Sequence, residues 1–170
     1  MIIIRCESPE DSSVIHDVDT KAFGRSLESD LVDALRKRGV ITMSLVALES
    51  GQIVGHVLFS PVTFEGEKDL SPVVGLGPVA VLPQFQRKGI GSMLISAWLE
   101  ECRKTGYEAV VVVGSRTYYQ RFGFTTASHF GLRLEEVPPE AFMALVLRPG
   151  TLTGKHAVKY QPEFNSERSV

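Results

Sequence analysis

Val79-Ala80-Val81-Leu82-Pro83-Gln84-Phe85-Gln86-Arg87-Lys88-Gly89-Ile90-Gly91-Ser92 is the stretch on which the fold turns. Its first residues close a long apolar run, 73–82, that reads as a strand. Its last residues open a helix predicted from about 89 to 104, with Ile90, Leu94, Ala97 and Trp98 on one face. Gly106 ends that helix, and the valine-rich segment 109–113 reads as a buried strand of the parallel kind. Strand, helix and strand make one βαβ unit, for which a right-handed crossover is expected.

Working outward, residues 2–5 predict a short first strand. Ser8-Pro9-Glu10-Asp11 announces a helix, with Ser8 as cap and Asp11 completing an acidic capping box, and Val14, Ile15 and Val18 as its buried stripe. Ser29 is read as the cap of a second helix carrying Leu31, Val32 and Leu35, stopped by Gly39. From Val40 the period changes to two, a turn falls at Glu49-Ser50-Gly51-Gln52, and 53–64 reads as the returning strand of a hairpin, followed by a turn near Gly66-Glu67-Lys68. Toward the C-terminus come Tyr118 to Phe124, a strand over 142–147, and a tail that is polar from Asn165.

The expected architecture is α/β, a mixed and mostly antiparallel central sheet with helices on both faces. At 170 residues, 44% hydrophobic and 22% charged, the chain fits one soluble domain with an ordinary core. A net charge of -2 argues against nucleic acid as the main partner, and Arg36-Lys37-Arg38 reads as a solvated helix flank. No apolar stretch approaches the roughly 20 residues of a membrane span, and the opening MIIIRCESPED is too short in apolar residues for a signal peptide. A cytoplasmic protein is expected. Cys6 and Cys102 form no CxxC pair and are read as buried and inert, although two thiols suffice for one bridge.

Gln86 to Ser92 carries the chemistry. Glycines there let main chain approach a ligand without an intervening side chain. The first amides of a helix lack internal acceptors and sit at the positive end of its dipole, so the turn makes an anion site of phosphate or diphosphate size, with Arg87 and Lys88 at its rim. The alternative is that the glycines only help the helix pack on the sheet. There is no GxxxxGK[ST] and no GxGxxG after the first strand, which removes P-loop and dinucleotide readings. No GxSxG elbow supports Ser-His-Asp hydrolysis. No metal-ligand spacing appears among the histidines, and His56 and His129 are read as structural.

Val79-Ala80-Val81-Leu82-Pro83, then Gln86-Arg87-Lys88-Gly89-Ile90-Gly91, then Tyr119-Gln120-Arg121-Phe122-Gly123-Phe124 together resemble the GNAT superfamily of N-acetyltransferases. In that family a hydrophobic-Ala-Val-x-Pro strand end, a [QR]xxGx[GA] helix start and a Tyr-x-[RK]-x-Gly-Phe run occur in this order. The spelling VVVGSRTYYQRFGF is similar to the YhbS-like bacterial branch, with Ser115-Arg116 where Asp-Pro is more usual. The resemblance implies a GNAT domain over 1–147, and a C-terminal extension over 148–170 packed on the same domain with a polar end. It implies a splayed strand pair whose slot admits the pantetheine arm of acetyl-coenzyme A (acetyl-CoA), the cosubstrate, with no metal.

By the same resemblance Val79, Ala80 and Val81 form the strand end against which the arm lies. Gln86, Arg87, Lys88, Gly89, Ile90, Gly91 and Ser92 surround the diphosphate. A main-chain N–H near Val81 meets the oxyanion, and Tyr119 is the acid for the departing thiolate; its other reading is a packing tyrosine. No carboxylate lies along 73–82. Glu28, placed ahead of the second helix, is the candidate to drain the amine proton or to bind a cationic acceptor, or else only favours the helix start. The expected function is transfer of acetyl from acetyl-CoA to a primary amine of a small molecule or protein by direct attack. The alternative is a non-catalytic acyl-CoA sensor or interaction module. The acceptor is not readable from the sequence, and a homodimer stays open.

Overall fold

A computed structural model describes residues 1–67 and 72–165. Lys68 of the expected turn, and the polar end beyond Asn165, lie outside the described residues. The elements run β1 (Ile2–Cys6), α1 (Ser12–Phe23), α2 (Leu27–Arg38), β2 (Met43–Glu49), β3 (Gln52–Pro61), β4 (Thr63–Phe64), β5 (Val73–Val81), α3 (Ile90–Thr105), β6 (Ala109–Val113), α4 (Arg116–Tyr119), β7 (Thr125–Thr126), β8 (Arg133–Leu134), β9 (Phe142–Val146) and β10 (Ala157–Lys159). Hydrogen bonds link the larger sheet in the order β1-β2-β3-β5-β6-β9-β7, and a small sheet in the order β4-β10-β8. In the larger sheet β5–β6 is a parallel ladder, whereas β1–β2, β2–β3, β6–β9 and β7–β9 are antiparallel, so the sheet is mixed and mostly antiparallel, as expected.

The chain divides into two compact units, with β3, β5 and α3 running through both. In the first unit, β1 to β3 form a meander whose turn puts Ser50 at φ 50° and Gly51 at φ 80°, the left-handed pair that a tight hairpin demands. The two faces of β3 are covered by different helices. A Cβ on Gly55 would lie 3.2 Å from Ile90 and Leu94 of α3, whereas His56, next along the strand, bonds Asp19 of α1. Phe59 and Trp98, both buried, meet at a tilt of 50° with ring centres 4.9 Å apart; side chains of this size contribute about 1.5–3 kcal/mol each by leaving water.

The second unit holds the parallel pair β5–β6, with β9 and β7 beyond it and the small sheet. Its core joins Val73, Val111, Phe142 and Ala144 to Val62, Phe64, Leu134 and Val158. The expected strand 53–64 is two strands: Pro61 ends β3, and Thr63–Phe64 pairs with β10 instead.

Strand β5 contains an extra residue. Val62 N–H bonds Val73 O and Leu82 N–H bonds Val54 O, so both Val73 and Leu82 face β3. Strict alternation would put residues nine apart on opposite edges. One residue is therefore bulged between them, and Gly77, at φ +133°, is the backbone outlier that accommodates it. The β5–β6 ladder stops just before it, at Leu76↔Val112.

Local details differ from the sequence reading in physically simple ways. Ile15, Val18 and Asp19 form the buried stripe of α1, at i, i+3 and i+4, and Val14, one residue off that face, is 43% exposed. Helix α2 starts a turn earlier than expected, with Ser26 at the cap; Ser29 lies inside it, buried, bonding Ser26 O at 3.0 Å and Thr20 Oγ1 at 2.7 Å. Cys102 is buried, and desolvation pushes its thiol up to about 12, but Cys6 is exposed, and neither is in a disulfide. Arg36 pairs with Glu7 and Asp33, and Arg38 with Glu163, so two of the three cations on the α2 flank are engaged.

One buried polar chain has no signature in the sequence. Asp19 bonds His56 Nδ1 at 3.1 Å, His56 Nε2 lies 2.9 Å from Ser44 Oγ, and Ser44 donates to Glu7 at 2.6 Å. Arg36 completes it by gripping both oxygens of Glu7. The order imitates a Ser-His-Asp triad, but the serine proton is committed to Glu7, and the residues come from five segments that the chain ties together. Burial alone would raise the Glu7 carboxyl, yet the bonds from Arg36 and Ser44 and the Arg36 charge hold it below its ordinary value. Asp11 is likewise held low, by Arg5 and by the Ser8 N–H, the leg of the capping box that Asp11 supplies.

Two outcomes follow for stability. Carboxyls with depressed folded values stabilise above their unfolded values, near 4, and that stabilisation is lost as pH falls through the folded ones. Melting temperature is therefore expected to fall between about pH 5 and 3, with a shallower slope in Asp11→Asn; equal slopes would contradict this. Gly77→Ala is expected to cost about 1–3 kcal/mol through backbone strain. No atom lies within 4 Å of the new Cβ, so crowding contributes nothing, and urea unfolding measures the loss.

Candidate active site

The bulge decides what the end of β5 offers. Beyond it Ala80 and Leu82 face β3, so the main-chain groups of Val79 and Val81 face the other edge, past the end of the β6 ladder. The Val81 carbonyl accepts a bond from Gln86 Nε2 at 2.9 Å. The side chain of Ala80 is buried and fills core.

From Pro83 a single 3-10 turn leads into the loop, where Arg87 takes φ +63° and Gly89 φ +82°. The first bond of α3 runs from Met93 N–H to Gly89 O. The amides of Ile90 and Gly91 thus precede the helical ladder and have no acceptor within it. The Ile90 side chain is buried, pinning the helix start, while Gly89 has open space where a Cβ would stand. Arg87 and Lys88 are exposed, and the Lys88 ammonium sits 5.3 Å from the Phe85 ring centre. Residues 79–92, from Val79 through Ser92, are thus assembled in the first unit as one continuous strand end and helix entrance.

Tyr119 belongs to the second unit. Ser115 is extended, and its carbonyl accepts from the N–H groups of both Tyr118 and Tyr119, so Ser115-Arg116 makes the turn. Gly123, at φ +96°, closes the segment. The Tyr119 ring is 9% exposed and meets Tyr118 and Phe124 edge-on, at 5.0 and 5.7 Å. Burial, with a lesser contribution from Tyr118, pushes its hydroxyl up to about 12, so it is a proton donor across the neutral range. Arg121 braces Tyr118, bonding its carbonyl at 2.9 Å with the guanidinium 4.4 Å from the ring centre. A Cβ on Gly114 would lie 2.5 Å from Tyr119 Cε2. The ring occupies the place of a side chain.

Glu28 is not ahead of α2 but in its first turn, 1% exposed. Arg25 grips it through Nε, at 2.8 and 3.1 Å to the two oxygens, and through Nη2. His56 lies in the buried chain described above, and His129 is exposed, stacked edge-on with Phe130. Among the described residues, His16, Asp30 and Asp33 bring ligand-type atoms within 4.8 Å of one another on α1 and α2; exposed carboxylates of this kind commonly gather without an ion. No helix among the described residues is long and apolar enough to cross a membrane.

The model of the Acetyltransferase (GNAT) family matches residues 12–124. The chain belongs to the GNAT acetyltransferase family. Among curated relatives, the uncharacterized N-acetyltransferase YhbS of Escherichia coli strain K12 is 37% identical over 167 residues, 96% of this chain and 99% of the relative. The uncharacterized N-acetyltransferase YjhQ of the same strain is 40% identical over 153 residues, 85% and 84% of the two chains. The crystal structure of Escherichia coli YhbS in complex with CoA matches with a TM-score of 0.90 at 35% identity, over 96% of this chain and 92% of that one. A GNAT acetyltransferase from Brucella melitensis, in complex with acetyl-CoA, matches with a TM-score of 0.81 at 37% identity, over 96% and 98%. The GNAT fold and the YhbS-like branch expected from the sequence are thus established, and with them acyltransferase chemistry.

Two features of this GNAT domain escaped the sequence reading. Gly114 precedes the tyrosine pair and gave no sign of being a seat for a ring five residues on. The Gln86 side chain was counted with the phosphate loop, whereas it bonds the strand. Gly114→Ala is expected to displace Tyr119 and lower its burial. The phenol should then titrate nearer 10, as read by ultraviolet difference spectroscopy; an unmoved titration would contradict the steric seat.

Proposed function

We propose that this GNAT protein transfers acetyl from acetyl-CoA to a primary amine by direct attack on the thioester. The observation that carries the reading is the junction of residues 79–92. There, outward main-chain groups of Val79 and Val81 adjoin a helix entrance with unpaired amides and two exposed cations. A long ligand with a diphosphate in its middle and an amide-bearing arm suits both parts, and the two similar structures contain CoA or acetyl-CoA.

In this reading the amides of the loop and helix entrance, those of Ile90 and Gly91 foremost, hold the diphosphate and the helix dipole favours its charge, while the Gln86 N–H is already engaged by Pro83 O. The arm bonds Val79 and Val81 as a neighbouring strand would. The neutral amine nitrogen attacks the thioester carbon; the carbonyl oxygen, gaining charge, is met by an outward main-chain N–H of this strand end. As the tetrahedral adduct collapses, the carbon–sulfur bond breaks, Tyr119 gives its proton to the thiolate, and the amine proton leaves to water and restores the phenol. Glu28 already binds a guanidinium and sits in the first turn of α2, so beside favouring the helix start its functional role in this reading is to attract a cationic acceptor in competition with Arg25. We assign 1–147 to the acetyltransferase domain and 148–170 to an extension of it.

A second reading is a non-catalytic acyl-CoA sensor, favoured by the engagement of Glu28 and by the lack of a carboxylate along β5. Free-thiol release from acetyl-CoA with a panel of polyamines, amino acids and peptides separates the two. Acceptor-dependent release that falls by about tenfold or more in Tyr119→Phe supports the enzyme, and tight binding with no release supports the sensor. Gly89→Asp puts a carboxylate at the diphosphate and a side chain at φ +82°. It is expected to weaken CoA at least about tenfold by calorimetry, and unchanged binding would refute the assigned grip.

A further inference from the structure

We propose that Tyr160, carried by the C-terminal extension, limits the length of the acyl group on the donor: its ring stops the acyl chain at Gly75, just beyond the thioester. The inference rests on the acetyl-CoA reading above. Between phosphate and sulfur the pantetheine arm counts about as many chain atoms as four residues, so extended it reaches about 14 Å. Laid along β5 from the helix entrance, it carries the thioester from the level of Val81 back to that of Gly77.

There the β5–β6 ladder, which runs from Val73 to Leu76, has just ended. An acyl chain prolonging the arm meets two hydrogen-bonded strands ahead of it and must lie on one face of the sheet. On one face Leu76 is buried, its side chain filling the place. The other face is that of two glycines. Gly77 has open space where a Cβ would stand, but a Cβ on Gly75 would lie 2.9 Å from Cε2 and 3.1 Å from Cζ of Tyr160, with Val62 Cγ1 also at 3.1 Å. The glycine face thus offers room for a short group over Gly77 and a wall over Gly75. That wall is tethered on both sides. Val158 and Lys159 pair with Phe64 and Thr63 before it, and Gln161 Nε2 donates to Pro61 O at 3.0 Å after it. The ring also packs against the core that holds Val62, Val73 and Val111. Gly75, Gly77, Val62 and Tyr160 all belong to the second unit.

Calorimetry with CoA, acetyl-CoA, butyryl-CoA and hexanoyl-CoA, without amine, tests this in the wild type, Tyr160→Ala, Tyr160→Leu and Tyr160→Phe. In the wild type, affinity is expected not to rise from acetyl to hexanoyl, because added methylenes meet the ring or stay in water. Tyr160→Ala should bind hexanoyl-CoA about tenfold more tightly than acetyl-CoA, as methylenes enter the vacated space. Tyr160→Leu, which keeps more of the core filled, should gain part of this, and Tyr160→Phe, which keeps the ring, none. Free CoA, with no acyl group to meet residue 160, should bind every variant within about twofold of the wild type. With an amine that the wild type accepts, thiol release from the three thioesters should follow the same order. A wild type that binds hexanoyl-CoA more tightly than acetyl-CoA would overturn the assignment, as would folded Tyr160→Ala and Tyr160→Leu proteins that keep the wild-type profile. A gain of affinity cannot come from a loss of fold. A wild type that binds none of these ligands defeats the acetyl-CoA reading itself.

Discussion

Strand β5 runs out of partners on one edge before it does on the other. Toward β3 its bonding continues to Leu82, but toward β6 it stops at Leu76. Backbone amides and carbonyls are obligatory bonding groups, and leaving them unpaired away from water costs as much as a lost hydrogen bond. The outward groups of Val79 and the N–H of Val81, whose carbonyl is already met by Gln86, therefore call for water or a ligand. The bulge at Gly77 directs them outward, since without the extra residue Val79 and Val81 would have faced β3. What the site offers a pantetheine-like arm thus follows from one residue of register.

Rigidity around that strand end is built from both polar and apolar parts. Gly55 lets α3 approach β3 closely, so Ile90 is buried where the helix begins and the loop before it has a fixed anchor. On the opposite face, the chain from Asp19 through His56, Ser44 and Glu7 to Arg36 ties together α1, α2, β2, β3 and the segment after β1. Removing one member of such a chain leaves a buried charge uncompensated, at a cost of about 3–5 kcal/mol. In the second unit the aromatic cluster of Tyr118, Tyr119, Phe122 and Phe124 gives one phenol a dry, defined seat.

The βαβ unit at 73–113 was legible because long apolar runs, a helical stripe and glycine punctuation all agree there. The diphosphate loop was legible because its chemistry is main-chain and its glycines are in the spelling. Tyr119 could be named from its motif, but its burial could not, since that depends on Gly114 having no side chain. The start of α2 was misplaced because Ser29 looks like a cap on paper, whereas in the fold the helix starts after Ser26 and the Ser29 hydroxyl bonds Thr20 on another helix. Arg25 closing on Glu28, and serine, histidine and aspartate meeting in the core, are products of tertiary folding. Spacing along the chain carries no trace of them.

The unequal environments of the two cysteines have a practical consequence. Cys102 is sealed in the core with its proton held tightly, whereas Cys6 sits on the surface with its sulfur 3.7 Å from that of Met43. The folded protein therefore presents one reactive sulfhydryl per chain to maleimides and disulfide reagents. A single probe can be attached at the end of β1 without editing the sequence, and any chromogenic measurement of liberated coenzyme carries a background of one equivalent that blocking Cys6 removes.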